Sequence, residues 1–142
     1  MHALAEWLVS GLLVALGAIV GTPARFLISG LVAQRLGETF PWGTLVVNAS
    51  GCFIMGLVGW FAVAHGLSSG SAFWLLLATG FLGSYTTVSS FALQTRALVR
   101  DGEGWLALGY VALSLILCLG AVAIGNELAS VLFAGIVGGV GR

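Results

Sequence analysis

The sequence contains no lysine and few charges of either sign, with five arginines and five acidic residues among 142. A water-soluble domain of this size carries roughly a quarter charged residues, so this chain lacks the side chains that an aqueous surface needs. Its formal net charge is zero. Proteins that bind nucleic acids neutralise phosphates with clustered basic residues, and we therefore expect no nucleic-acid partner.

Groups that carry enzyme chemistry are also scarce. The chain has two histidines and two cysteines, and along the sequence they form no nucleophile–base pair and no metal-ligand set. No glycine-rich phosphate loop is present either. Cys52 and Cys118 fall inside apolar stretches, where lone thiols are most often small packing residues. The sequence therefore indicates that the protein is not an enzyme.

Apolar residues make up 59% of the chain, and the mean hydropathy is +1.11. A helix that crosses the ~30 Å hydrocarbon core of a lipid bilayer needs about 20 predominantly apolar residues. The uncharged windows accommodate four such helices, so we predict an all-α integral membrane protein with a single transmembrane domain over residues 1–142. The predicted spans are about 7–33, 41–64, 72–99 and 104–125, followed by a short apolar tail at 128–140.

The third span is too long for one continuous crossing. Between Gly66 and Thr95 the chain has 30 residues without a charge, or about 45 Å of helix at 1.5 Å per residue. Its middle, Gly80 to Phe91, is rich in glycine, threonine and serine, which are poor helix formers. We therefore expect a break at mid-membrane, where freed backbone groups often bind ions. A packing kink, with hydroxyls bonded back to the helix, is the alternative interpretation.

Polar side chains also lie inside the second and fourth spans. Asn48 and Thr44 are four residues apart and share one helix face. Their amide and hydroxyl would either bond another helix or contact a substrate. Tyr110, Ser114 and Cys118 form a stripe at i, i+4 and i+8. This stripe would either pass an ion along while replacing its water or serve packing between helices.

Arg25 lies inside the first span, where a charge costs about 2.5 kcal/mol or more at the bilayer centre. It would form a cationic vestibule for an anion or cap helix carbonyls. A small four-helix proton-coupled cation exporter is the alternative from another class, and such transporters rely on a glutamate inside the first helix. Here Glu6 precedes the first span, and no span holds an acidic residue. The sequence therefore favours an anion.

Four motifs occur in order along about residues 15–125. They are Gly21-x-x-x-Arg25, Pro41-Trp42-Gly43-Thr44-Leu45-Val46-Val47-Asn48 followed by Gly51, Gly80-Phe81-Leu82-Gly83-x-x-Thr86-Thr87-x-Ser89-x-Phe91, and Tyr110-x-x-x-Ser114. Together they resemble the signatures of the Fluc/CrcB family of fluoride channels.

The resemblance implies two four-helix subunits inserted in opposite orientations, an antiparallel, dual-topology dimer with two narrow fluoride pathways. It also implies passive export of cytoplasmic fluoride across the cell (inner) membrane of a prokaryote. The implied fluoride pathway consists of Asn48, Phe91, Thr44, Tyr110, Ser114, Thr87 and Arg25. Backbone carbonyls of Gly83 and Thr86, from both subunits, would hold a structural sodium ion at the dimer centre.

Three positions depart from the family pattern along the conduction route. Val88 replaces the first of two stacked phenylalanines, Gln94 replaces a glutamate and Cys118 replaces a serine. The arginines near span ends also favour a single orientation, with three on one side of the membrane and one on the other. These are Arg35, Arg96 and Arg100 against Arg142. Together these features favour an alternative, in which the chain is a nonconducting or partly degraded partner subunit of a heteromeric fluoride channel. The second subunit is then an unequal paired chain and not an identical one.

Overall fold

The computed structural model describes residues 2–37 and 39–137, and every regular element in these ranges is a helix. The elements are α1 (His2–Leu36), α2 (Trp42–Ala64), α3 (a π-helical stretch, Trp74–Leu82, continued by the α-helical turn Gly83–Tyr85), α4 (Val88–Arg100) and α5 (Gly104–Val137). Within the described residues, four helical stretches are long and apolar enough to cross a membrane, with α3 and α4 forming one of them. Arg142 and residues 138–140 of the predicted tail lie outside these ranges.

The third span is broken, as the sequence predicted. Thr86 and Thr87, between α3 and α4, are extended, with ψ angles of 161° and 122°. The hydroxyl of Thr87 accepts the Ser90 N–H at 3.2 Å and so caps the start of α4. The bonds expected for a simple kink are also present, since the Thr86 hydroxyl donates to the Leu82 carbonyl at 2.9 Å.

Gly83 requires a correction, because the sequence placed it in the break itself. It is helical, with φ −62° and ψ −32°. The two β-branched threonines that follow, which have low helix propensity, form the extended segment instead. A β-branched residue at position 83 is therefore not expected to prevent the break.

The end of the fourth span is also different from the prediction. The sequence indicated an end at 125–127 and a separate apolar tail at 128–140, but α5 continues to Val137. The rings of Phe133 and Trp60 stack with their centroids 5.9 Å apart, so this extension packs on α2. Tertiary contacts of this kind outweigh the weak local preference for a helix end.

Glycines bring the helix backbones into direct contact at two interfaces. A Cβ added to Gly17 would fall 2.6 Å from the Phe81 amide nitrogen, so α1 lies against the backbone of α3. A Cβ added to Gly56 would fall 2.8 Å from the Asn126 nitrogen, so α2 lies against α5. Helices in lipid associate by close packing of this kind, because lipid tails supply no hydrophobic driving force between them.

We predict that Gly17→Ala destabilises the folded chain by about 1–3 kcal/mol, because the added methyl group would overlap backbone atoms that are unable to move aside. Gly11→Ala is the matched control, since Gly11 lies on the same helix with no atom within 4 Å of the added carbon. It should leave stability unchanged or raise it by up to ~1 kcal/mol through helix propensity. Thermal unfolding midpoints in detergent measure both effects. Equal midpoints for the two variants would contradict the close packing of α1 on α3.

Candidate functional site

Asn48 of α2 bonds both backbone groups of Thr87 in the break. Its Nδ2 donates to the Thr87 carbonyl at 2.9 Å, and its Oδ1 accepts the Thr87 N–H at 2.8 Å. Of the two possibilities for Asn48, the bond between helices is therefore present. A primary amide carries two N–H donors, and these bonds use one of them, so Asn48 retains a donor for another acceptor.

The Asn48 bonds also free a carbonyl oxygen of α3. In a continuous helix the Thr87 N–H would donate to the carbonyl four residues earlier, which is that of Gly83. Because Asn48 takes this N–H, the Gly83 carbonyl loses its helical partner. The extended conformation of Thr86 turns its own carbonyl out of the α3 hydrogen-bond ladder. The break therefore presents backbone oxygens of both predicted sodium ligands.

A cavity of about 310 Å³ lies beside the break. Its lining is hydroxyl-rich and includes one cation and no acidic side chain. The lining residues are Thr22, Arg25, Phe26, Ser29, Thr44, Val47, Thr87, Ser89 and Ser90. The first turn of α4 forms one wall, and the unpaired N–H groups of a helix start favour anions. The structure thus brings three of the predicted pathway residues, Arg25, Thr44 and Thr87, to one cavity.

A larger cavity of about 670 Å³ continues from the first toward the α1–α2 and α4–α5 connections. The two cavities share Phe26, Ser29, Thr44 and Ser90. We call the larger cavity the vestibule. Its outer lining includes residues of both connections: Gly37 and Thr39 to Trp42 on one side, and Asp101 and Glu103 on the other. The two cavities therefore adjoin, and together they extend from the two connections to the break.

Tyr110 is fully buried and contacts two residues that line the vestibule, Gln94 and Phe40. Its hydroxyl donates to Gln94 Oε1 at 3.1 Å, and Gln94 also lines the vestibule. The ring of Phe91 lies 5.1 Å from that of Tyr110, tilted by 43°. The ring of Phe40 approaches Tyr110 edge-on at 5.5 Å. Two predicted pathway residues are thus in contact. Gln94, one of the three departures from the family pattern, is their hydrogen-bonded neighbour, and Phe40 is a partner that the sequence pattern did not indicate.

Helices α2 and α5 run in the same direction, because both start at the connections that line the vestibule. A Cβ on Gly56 would touch the Val122 carbonyl, a pair whose residue numbers differ by 66 (122 − 56). About three turns earlier the same offset pairs Thr44 with Tyr110 (110 − 44), and Tyr110 contacts Phe40 and Gln94, which line the vestibule together with Thr44. Both observations fit one register along the interface.

Extended back along the two parallel helices, the same offset pairs Asn48 with Ser114 and Cys52 with Cys118. We call the three pairs the polar seam: Thr44 with Tyr110, Asn48 with Ser114, and Cys52 with Cys118. Ser114 is only 7% exposed. Within the described residues, its hydroxyl has no hydrogen-bond partner. The seam therefore contains a buried donor that is available for a ligand.

Comparisons with known proteins show which family this chain resembles. Residues 12–126 match the family described as "CrcB-like protein, Camphor Resistance (CrcB)". A "Fluoride-specific ion channel FluC 2" of Rhodopseudomonas palustris is 58% identical over 127 residues, which are 88% of this chain and 97% of the relative.

Two further relatives are similar over most of their length. The "Fluoride-specific ion channel FluC 2" of Bradyrhizobium diazoefficiens is 53% identical over 117 residues, 82% of this chain and 85% of the relative. The "Fluoride-specific ion channel FluC" of Opitutus terrae is 50% identical over 116 residues, 81% of this chain and 88% of the relative.

These relatives are named as ion channels, a non-enzymatic class, which confirms that the chain is not an enzyme. Together with the four membrane-length helices, they identify a multi-pass membrane protein. The motif resemblance found in the sequence is likewise confirmed, and the chain belongs to the CrcB family, whose curated relatives are named fluoride channels.

Proposed function

We propose that this chain is a subunit of a fluoride-selective channel that exports cytoplasmic fluoride passively across the inner membrane of a prokaryote. One observation carries the proposal: a vestibule leads to a seam of neutral hydrogen-bond donors that includes the buried hydroxyl of Ser114, which has no hydrogen-bond partner among the described residues. The names of the relatives support fluoride as the transported ion.

Fluoride is small and strongly hydrated, so a narrow pathway must replace its water with other donors. Arg25 attracts the anion into the cavity beside the break, where hydroxyls and the start of α4 offer donors. The free N–H of Asn48 and the hydroxyl of Ser114 follow along the seam. Phe91 contributes the positive edge of its ring. These groups are neutral apart from Arg25, and weak sites in series let an ion leave as well as enter.

A second subunit is proposed to cover the break. Thr22, Thr79, Gly83 and Ser89 are exposed on the single chain near mid-membrane. Hydrocarbon tails are unable to satisfy the backbone groups that the break frees. An antiparallel copy would bring a second break to the same place and so cover both, which supports the dual-topology dimer.

The backbone carbonyls that the break frees suit a structural sodium ion. Oxygen atoms are the ligands that hard cations prefer, and the Asn48 bonds release the Gly83 carbonyl for this use. Gly83 and Thr86 of both subunits would hold the ion. Once bound, the ion would supply positive charge that compensates the freed carbonyls at the dimer centre. Position 83 is exposed on the single chain, and its backbone carbonyl alone would bind the ion, so no side chain is needed there.

An unequal dimer is the second candidate, and Val88 is the observation that favours it. Val88 is 78% exposed next to the break, so its side chain points to the proposed interface. A partner chain with an aromatic residue there would supply the ring that this chain lacks. Fluoride efflux from liposomes that contain only this chain distinguishes the two dimers. Robust efflux supports the identical pair, whereas efflux that requires a companion chain supports the unequal pair.

We predict that Ser114→Ala slows fluoride efflux at least tenfold without loss of stability. Removing a buried hydroxyl that lacks a partner also removes its desolvation penalty of about 1–3 kcal/mol, so the thermal midpoint should stay constant or rise. Ser130→Ala is the control, since the Ser130 hydroxyl bonds the Glu127 carbonyl in the distal part of α5. Unchanged efflux in Ser114→Ala would remove Ser114 from the pathway.

Asn48→Asp should abolish fluoride efflux. A carboxylate repels an anion at about 4 Å by several kcal/mol at intermediate dielectric, and it has no N–H to donate to the Thr87 carbonyl. Asn126→Asp is the matched control, because it places the same charge on an exposed position of α5 outside the seam. Efflux is measured with a fluoride electrode, and folding with size-exclusion chromatography. If folded Asn48→Asp conducts at the parental rate, the pathway does not pass Asn48.

Gly83→Trp should prevent dimer formation while leaving the single chain folded. A Cβ at this position contacts only the Ala78 carbonyl, at 3.7 Å, so the indole would project from the surface at the break. Ile116→Trp is the control, because Ile116 is an exposed position on α5, which does not form the break. Cross-linking in mild detergent measures the dimer fraction. Equal dimer fractions in the two variants would show that the break is not at the interface.

A further inference from the structure

Cys52 and Cys118 form the innermost pair of the polar seam, one helical turn beyond Ser114. The fluoride pathway proposed above assigns no role to their thiols. Both side chains are partly buried, and neither is in a disulfide. Each lies one helical turn before a residue of the Gly56–Val122 contact, so the parallel helices α2 and α5 bring the two side chains to the same level of their interface. They are therefore a pair of reduced thiols in a confined space and not two isolated packing residues.

The surroundings restrict what this pair could bind. One turn further along, a Cβ on Gly56 would touch the Val122 carbonyl, so the helix backbones close the space beyond the thiols. Within the described residues, no group of three or more histidine, cysteine or acidic side chains is close enough to hold a metal ion together. A metal ion at the thiols would therefore have two protein ligands, both sulfur.

We propose that Cys52 and Cys118 form a binding site for a soft divalent cation that accepts two thiolates, with Hg²⁺ as the representative ion, and that the bound ion obstructs the polar seam. Thiolate ligands select soft metal ions, and a pair of opposed ligands suits an ion that binds two donors in a line. Only the obstruction depends on the proposed fluoride pathway, since the binding itself depends on the two thiols alone.

Charge balance favours a divalent ion over a monovalent one. Each thiol loses its proton and forms one sulfur–metal bond, so one Hg²⁺ binds two thiolates and two protons pass to the solvent. The product is neutral. A monovalent ion such as Ag⁺ would leave the same pair with one negative charge, and burying an unpaired charge in this interior is costly.

Binding is tested on the purified full-length chain in chloride-free buffer. Hg²⁺ is added at one equivalent, a competing monothiol is then added, and the metal that remains on the protein is counted by mass spectrometry. The parental chain should retain one ion per chain. Cys52→Ser and Cys118→Ser each leave one thiol and should retain the ion at least 100-fold less tightly, because two linked ligands gain about 10²–10⁴ through effective concentration. Cys52→Ala and Cys118→Ala replace any serine variant that fails to fold.

Efflux is measured on the same samples, each relative to its own rate without metal. Stoichiometric Hg²⁺ should reduce parental efflux at least tenfold and leave the single-thiol variants within twofold. If the parental chain holds the ion no more tightly than the single-thiol variants, the site is wrong. If the ion is retained at one per chain and efflux continues, the two-thiol site stands, and both the obstruction and the route through the seam are wrong.

Discussion

The amide of Asn48 bonds both backbone groups of Thr87, and the rest of the site depends on this pair of bonds. The extended Thr87 would otherwise leave its N–H and its carbonyl without partners inside the third span, and each unsatisfied group in lipid costs several kcal/mol. The amide supplies one acceptor and one donor at 2.8 and 2.9 Å. A break that would be too costly in lipid is thereby tolerated, and the start of α4 remains directed into the cavity beside Arg25.

Helix packing determines where that amide lies. Glycine contacts hold α1 on α3 and α2 on α5, so the helices have little freedom to rotate or slide past each other. The Gly56–Val122 contact sets the register in which Asn48 and Ser114 occupy the same level. The same contact positions the two thiols. Glycines at the helix contacts therefore align the polar side chains. This explains how an interface with so few polar atoms presents them in one continuous seam.

Sequence reasoning predicted the elements that depend on composition and length. Four membrane-length helices follow from apolar windows, and the break follows from a span of excess length with threonines at its centre. Its two errors concern tertiary contacts. Gly83 is helical because the break lies at the adjacent threonines, the second of which is bonded by Asn48. Helix α5 continues past residue 127 because Phe133 packs on Trp60. Periodicity gave no indication that Tyr110 bonds Gln94, because that contact joins two separate helices.

Fewer of the hydrogen-bond donors have a protein acceptor toward the interior of the seam. This gradient affects how an anion could move through it. Near the vestibule the Tyr110 hydroxyl already has Gln94 as its acceptor, so an anion there must compete with a protein group. Among the residues that the structure describes, Asn48 has a partner for one of its two N–H donors, and the Ser114 hydroxyl has none. A buried, unpartnered hydroxyl costs about 1–3 kcal/mol, and such a cost persists in proteins chiefly where function requires it. The seam thus offers progressively less occupied donors toward its interior, which would draw an anion away from its water in steps.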